Sequence, residues 1–277
     1  MKNIKILVRG GGDLATGIIH RLWSAGFHKL LVTECANPAA IRRQVALCEA
    51  VYSGQATVEG ITAVRVEDMA AVQAAWDRGC VPIMVDEACC FASSFQPEVI
   101  IDGIIAKRNL DTDKAMANLV IACGPGFTAG ADGDVHAIVE TKRGHNLGRI
   151  IREGSAAPNS GVPGNIGGYT KERVLHAPCA GTLHIVRDIG SIVAQDELIA
   201  YITDVAEKRT EVKATLTGII RGMIRDGYAV TKGFKIADID PRQEELANCF
   251  TISDKARTIA GSVLELVCAY AMEREGK

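Results

Sequence analysis

The sequence has little net charge, no long apolar run and no Cys-x-x-Cys pair, and each shortage closes off a class of function. Its 31 Lys and Arg stand against 33 Asp and Glu, a formal charge of −2. No general attraction therefore draws the chain to nucleic acid or to an anionic membrane. No stretch approaches the roughly 18–20 uninterrupted apolar residues of a membrane span. The first residues, Met-Lys-Asn-Ile-Lys-Ile-Leu-Val, pass straight into a strand pattern, without the basic segment and long apolar segment of a secretion signal. A cytoplasmic location is expected. The nine cysteines are odd in number. Cys89 and Cys90 are adjacent, which suits neither a zinc knuckle nor an easy disulfide. Cys48, Cys80, Cys123 and Cys268 sit in apolar runs, where cysteine acts as a small hydrophobe. Free, reduced thiols and no metal site are the expectation. His136 and His145 have no carboxylate or cysteine at ligand spacing, and no Ser-His-Asp or paired-carboxylate set can be specified.

What is present first is alternation of strand and helix. Ile4–Val8 reads as a buried strand. Leu14, Ile18, Ile19, Leu22 and Trp23 then recur on one face of a helix that ends near Gly26. Lys29–Thr33 is a second strand closed by Glu34, and Asn37-Pro38 announces a helix over Ala39–Glu49. A helix over Glu67–Arg78 follows, then strands at Val81–Val85, Val99–Ile101 and Leu119–Cys123, then a strand over Val135–Thr141. The expected fold class is α/β: a Rossmann-like, mostly parallel sheet over residues 1–152. Ligands of such sheets gather at the carboxyl ends of the strands. That places Gly10, Gly11, Gly12, Asp13, Ala15, Glu34, Asp102, Gly124 and Gly126 as candidate cofactor-binding residues. Gly10, Gly12 and Ala15 fit G-x-G-x-x-[GA], in which glycines admit a close backbone and a helix N-terminus meets an anion. Glu34 lies about 20 residues on, where a carboxylate can bind ribose hydroxyls. Asp13, in the first helical turn, opposes a nearby pyrophosphate. A nucleotide site and a purely structural strand-to-helix corner both remain open. Lys107 and Asn109, just past Asp102, suit either an anionic ligand or a basic surface loop. Cys123, before Gly-Pro-Gly, is either a nucleophile or persulfide carrier or a buried strand-end thiol.

Residues 153–172 are rich in glycine and proline and read as a linker or a closing loop. Beyond them Gly181 matches Gly218, Gly190 matches Gly227, Val193 matches Val230 and Ile199 matches Ile236, always 37 residues apart. Two similar β units over 173–245 are expected to pack together. Residues 174–240 resemble the barrel-sandwich hybrid of biotinyl and lipoyl carriers. The hairpin Ala206-Glu207-Lys208-Arg209 lacks the carriers' lysine between two methionines, so the resemblance implies the fold without covalent biotin or lipoate. The chain closes, over 246–277, with a helix whose Ile259, Val263, Leu266, Val267, Tyr270 and Ala271 form one stripe, with Ser253 as its cap. That stripe packs on the core or on a second copy, so a homo-oligomer is compatible.

Six phrases taken in order carry a family resemblance: RGGGDLATG (9–17), AKRNLDT (106–112), IACGPG (121–126), VHAIVETKR (135–143), APNSGVPG (157–164) and GFKIADIDPR (233–242). Together they resemble the YqeB family, proposed accessory proteins of selenium-dependent molybdenum hydroxylases. The resemblance implies maturation or cofactor handling for a xanthine-dehydrogenase-like enzyme. The partners would be the hydroxylase apoenzyme and other maturation proteins, and the ligand the dinucleotide form of the molybdenum cofactor. It transfers no catalytic residue. Asp111 stands where a small residue such as glycine is expected. The alternative on the same glycine turn is an NAD(P)-dependent oxidoreductase, for which no catalytic acid–base set is identifiable.

Overall fold

The computed structural model describes residues 3–162 and 164–275 and divides into two compact units. The first takes the chain up to Pro38, Ala46–Ser160 and the chain from Ile252; the second takes Ala39–Val45 and Gly161–Thr251. The stretch read as a linker is thus shared between the units, and the C-terminal helix belongs with the first. Pro163, within APNSGVPG, lies outside the described residues.

The first unit holds, in chain order, β1 (Ile6–Arg9), α1 (Asp13–Ser24), β2 (Leu30–Glu34), α2 (Ala50–Ser53), β3 (Gln55–Val58), β4 (Ile61–Val66), α3 (Met69–Asp77), β5 (Val81–Val85), α4 (Ala92–Phe95), β6 (Val99–Asp102), β7 (Leu119–Cys123), β8 (Thr128–Ala129), β9 (Ala137–Val139), β10 (Ile150–Ile151), β11 (Gly154–Ser155) and α5 (Asp254–Glu275). Nine strands form one sheet in the order β10-β9-β7-β6-β1-β2-β5-β4-β3. Its inner pairs are parallel, while β3–β4 and β9–β10 are antiparallel. Leu7, Leu31, Val72, Ala75, Ile100 and Val120 meet in a continuous core on one side of it. The run of β-branched and leucine side chains in β1, β2 and β6 is what a strand buried on both faces requires. Across α1 lies the first turn of α5. A Cβ on Gly17 would come within 2.8 Å of the Ala256 Cβ, so glycine inside a helix is the condition of this close approach. Ser253 caps α5 by accepting from the Ala256 N–H at 3.2 Å, as its position in the sequence implies.

The expectation of a Rossmann-like domain is corrected by this topology. The sheet is mixed, with antiparallel strands at both edges. The β2-to-β5 connection contains the hairpin β3–β4, and β6 passes to β7 with only a 3-10 turn at Lys114–Met116. The crossover of residues 103–118 has polar side-chain clamps in place of an amphipathic helix. The helix expected over Ala39–Glu49 is likewise replaced, by 3-10 turns at Arg43–Val45 and Leu47–Glu49 and the single turn of α2. Tertiary hydrogen bonds win there. In the second unit Met223 N–H donates to the Ile41 carbonyl at 2.8 Å and Arg43 Nε to the Met223 carbonyl at 3.0 Å. In the first, Cys48 N–H donates to the Gly11 carbonyl at 2.8 Å.

The second unit contains β12 (Val174–His176), β13 (Gly181–Ile185), β14 (Ile192–Val193), β15 (Leu198–Thr203), β16 (Arg209–Lys213), β17 (Gly218–Met223), β18 (Ala229–Val230) and β19 (Lys235–Asp240). They make two antiparallel four-stranded sheets, β12-β19-β17-β14 and β16-β15-β13-β18. The repeat is visible in the exchange: β13 of the first half pairs with β18 of the second, and β17 with β14. Its glycines have one cause. A Cβ on Gly181 would lie 2.3 Å from the Thr203 carbonyl oxygen, and one on Gly218 would lie 2.3 Å from that of Asp240. The barrel-sandwich expectation is corrected as well. Each sheet keeps its own two edge strands, and among the described residues no strand pairing joins the two. Lys208 stands on the exposed β15–β16 turn, where Asp204 accepts from the Ala206 and Lys208 amides.

Candidate functional site

The carboxyl edge of the first unit's sheet gathers the glycine turn, the 103–112 loop and the Gly-Pro-Gly turn. Gly10 follows β1 with φ +89°, and a side chain there would also meet the Ile104 backbone at 3.2 Å. Gly12 is the N-cap of α1. It has no side-chain cap, and a Cβ built on it meets nothing within 4 Å. Ala15 is buried against Gly103, where an added Cβ would lie only 3.0 Å from that of Ala15, so the third position of the motif is small for packing. Glu34 holds the turn from the side: Oε1 accepts from Gly11 N–H at 2.9 Å and Oε2 from Cys35 N–H at 2.8 Å. Beyond it, Thr16 Oγ1 donates to the Gly11 carbonyl at 3.2 Å and accepts from Leu47 N–H at 2.9 Å. Residues 47–48 are therefore stitched over Gly11, and the accessible part of the turn is Gly12.

Asp102 is inside the protein, at 1% exposure, and is bound by its own chain. Its Oδ2 accepts from Thr112 Oγ1 at 2.6 Å and its Oδ1 from Ile104 N–H at 3.1 Å. Arg9 Nη1 donates to the Thr112 hydroxyl, stands 3.7 Å from Asp102 Oδ2, and its Nη2 donates to the Glu87 carbonyl at 3.2 Å. Burial raises the Asp102 pKa; the Thr112 hydroxyl, the Arg9 charge and the Ile104 amide pull the other way without cancelling it. Asn109 closes the same loop from within: Nδ2 donates to the Thr112 carbonyl and Oδ1 accepts from Thr112 N–H, both at 2.8 Å. Asn109 is thus a clamp of the loop, while Lys107 is exposed.

Between these clamps the backbone is left-handed at Ile105 (φ 60°), Lys107 (φ 67°) and Asp111 (φ 62°). A β-branched residue in that region is a genuine outlier, and each such residue costs about 1–3 kcal/mol that the surroundings must hold. The Gly-Pro-Gly turn does part of this. A Cβ on Gly126 (φ +107°) would lie 2.6 Å from the Arg108 backbone, and one on Gly124 (φ +86°) 2.7 Å from Thr141 Oγ1.

Cys123 is wholly buried at the end of β7, and its thiol is pushed far above the ordinary cysteine range by burial and by the Asp102 charge. Cys35 is raised to about 11 by burial and by Glu34. Neither is a thiolate at neutral pH. His136 uses Nδ1 to accept from Val120 N–H at 3.0 Å, a structural bond. Among the described residues no group of three metal-ligating side chains occurs, and no helix is long and apolar enough to cross a membrane.

Four residues of the first unit escape sequence reasoning. Arg9 and Thr112 are read as parts of phrases, and their pairing appears only in three dimensions. Lys255, in the first turn of α5, is half-buried and lies among the charges of Arg143, Asp13, Glu140 and Asp254. Burial, followed by Arg143, lowers its proton affinity against the three carboxylates. Glu140 is buried and accepts from Lys142 N–H and Ala157 N–H at 2.7 Å each. A carboxylate closing an apolar strand was its only signal.

An α/β protein whose glycine turn is pinned by Glu34 and residues 47–48 is the class that fold and site define. No family model matches the chain. It is 46% identical over 260 residues, 94% of its length, to the uncharacterized protein YqeB of Escherichia coli K12. This supports the YqeB family for the matched residues; the chain spans about half (46%) of that relative. Among solved structures, the ectoine utilization protein EutE (DoeB) of Ruegeria pomeroyi in its product-bound form is 10% identical, with TM-score 0.28, covering 85% of this chain and 84% of that one. A succinylglutamate desuccinylase from a Silicibacter species is 12% identical, with TM-score 0.26 and the same coverage. At such scores the likeness brings no chemistry to this chain.

Proposed function

We propose that the chain is a cytoplasmic accessory protein in the maturation of a selenium-dependent molybdenum hydroxylase, and that it holds the nucleotide-bearing form of the molybdenum cofactor. The observation that carries this reading is the open face of Gly12 at the N-terminus of α1, uncapped by any side chain. First-turn amides and the helix dipole favour a phosphate there. Glu34, although it accepts from two amides, keeps lone pairs on both oxygens for a ribose hydroxyl. Lys255 offsets the charge of Asp13. Because Leu47–Cys48 and Ile104 close over Gly11 and Gly10, the residues fit one phosphate at Gly12 better than a pyrophosphate laid along the whole turn. The metal chemistry belongs to the cofactor in its target enzyme; this chain's residues bind and orient the nucleotide end. Sulfur or selenium transfer through Cys123 has no support in its burial.

The partners on this reading are the hydroxylase apoenzyme and other maturation proteins. Calorimetric titration with molybdopterin dinucleotide and, in parallel, with NADH tests it. Binding of the former that Gly12→Val abolishes supports it. No dinucleotide binding, together with unchanged hydroxylase activity when the protein is deleted, overturns it; NADH turnover would replace it with an oxidoreductase.

A further inference from the structure

The second unit has buried arginines that its own carboxylates do not satisfy. On β19, Asp238 and Asp240 are two residues apart and so share a face. β12 lies along one side of β19, with Val174 opposite Asp238. β17 lies along the other, with Gly222 opposite Asp238 and Ile219 opposite Asp240. Arg173 directly precedes β12, and Arg221 falls where the β17 register shifts between Ile220 and Gly222. The two arginines therefore flank β19 from either side.

Both carboxylates are already partnered. Asp240, 2% exposed, receives Arg242 Nε at 3.0 Å, Arg242 Nη2 at 2.8 Å and Arg242 N–H at 3.1 Å. Asp238 receives Lys235 Nζ at 2.7 Å. Arg221 reaches Asp240 only at 3.9 Å, and the Arg173 Nη1 bond to the Gly164 carbonyl is long, at 3.4 Å. The Nε atoms of Arg173 and Arg221 are buried without a hydrogen-bond partner, and Arg173 is only 6% exposed. Burial depresses the Arg173 pKa; Asp238 and Asp240 resist this, and the charges of Arg221 and Arg242 add to it. An orphaned buried donor is costly, more so on a charged group, and two surplus guanidinium ions add mutual repulsion.

Beside Arg173, whose Nη1 donates to the Gly164 carbonyl, runs a glycine-rich loop. Gly167 and Gly168 are both left-handed (φ +58° and +88°), and Ile166 and Tyr169 exchange backbone hydrogen bonds across them. A Cβ on Gly167 would touch Pro241 at 3.0 Å, so the loop lies against the turn that follows Asp240. Surplus guanidinium donors and a closely apposed glycine backbone suit a compact dianion with several acceptor oxygens, which a guanidinium meets with two parallel bonds.

We propose that Arg173 and Arg221 bind a phosphoryl group beside the 164–169 loop. This site lies wholly within the second unit and does not depend on the glycine-turn reading. Titration of the full chain with inorganic phosphate, pyrophosphate and AMP, with acetate as control, distinguishes the free ion from a phosphate ester. Saturable binding of at least one phosphate species and none of acetate is expected. Arg221→Lys, which keeps the charge and loses the fork, should weaken it about tenfold or more, and Arg173→Gln should abolish it. If Arg173→Gln fails to fold, the half-buried Arg221 variant still decides. No binding of any phosphate species at millimolar concentration, an equal response to acetate, or unchanged affinity in folded Arg221→Lys overturns the proposal.

Discussion

Asp102 of the first unit and Asp240 of the second are both almost wholly buried and both face arginine, yet their proton affinities move in opposite directions. Burial opposes ionisation of each. For Asp240 the Arg242 side chain and amide outweigh it, and the pKa falls; for Asp102 the opposing groups do not, and the pKa rises. Distance is one difference, and the deeper placement of Asp102 away from solvent is the other. Arg242 makes two direct guanidinium bonds to Asp240, whereas Arg9 stands 3.7 Å from Asp102 with the Thr112 hydroxyl between them. Buried arginine thus plays two parts here. Arg9 is partnered by Thr112, Glu87 and Asp102 and locks a loop, while Arg173 and Arg221 each keep a buried Nε without a partner.

Removing each carboxylate is the most forceful way to break this comparison. Asp102→Ala leaves Arg9 charged, buried and short of its counter-ion, a loss of about 3–5 kcal/mol. Asp240→Ala should cost less, about 1–3 kcal/mol, because Arg242 is 39% exposed and can turn to water, although Arg221, 3.9 Å away, also loses a counter-charge. Urea unfolding followed by hydrogen exchange in each unit measures both; equal losses would contradict the distance argument.

The glycines that seat the two loops come next. Gly126→Ala drives a Cβ to 2.6 Å from the Arg108 backbone at φ +107°, for a loss of about 1–3 kcal/mol. Gly167→Ala meets only the Pro241 ring at 3.0 Å, with φ +58°, so about 1 kcal/mol is expected. Thermal unfolding of the two variants should keep that order.

Acid separates the units more gently. Asp240 has a folded pKa below its unfolded value, so its contribution is present above the unfolded value and is lost as pH falls through the folded one. Asp102 has a folded pKa above its unfolded value, so the folded first unit gains relative stability as pH falls through that raised value. Hydrogen exchange between neutral pH and the carboxylate range should show protection failing first around β17 and β19. Asp240→Asn should flatten that slope, and Asp102→Asn should leave it in place.

Much of the first unit was legible because local pattern and tertiary role agree. Val81–Val85 and Leu119–Cys123 are strands to the residue, and α5 runs from the Ser253 cap. The repeat of 37 residues is legible because both copies meet the same carbonyl clash at Gly181 and Gly218. Where reading failed, contacts distant in sequence decided. Ala39–Glu49 has a proper helix start, but Met223 and Gly11 take its backbone groups. Glu34 stands where a ribose ligand is expected, and only the fold shows it bonded to Gly11. The hairpin β3–β4 and the Arg9–Thr112–Asp102 lock leave no periodic trace, and they are what separate this sheet from the Rossmann-like expectation.

The gentlest test concerns the strained loop that the Asp102 lock holds. Asp111 has φ 62°, a region glycine enters freely and aspartate tolerates at a cost. The resemblance expects a small residue such as glycine here, and the backbone explains why. Asp111→Gly relieves the left-handed strain but frees the unfolded chain, so the net gain should be small, about 0.5–1 kcal/mol. The side chain is exposed and no hydrogen bond depends on it among the described residues. A slight rise in melting temperature with the Asn109–Thr112 amides equally protected is the expected result. A fall would mean that the aspartate holds the loop in some way other than its backbone angle, and the lock would then have a fourth member.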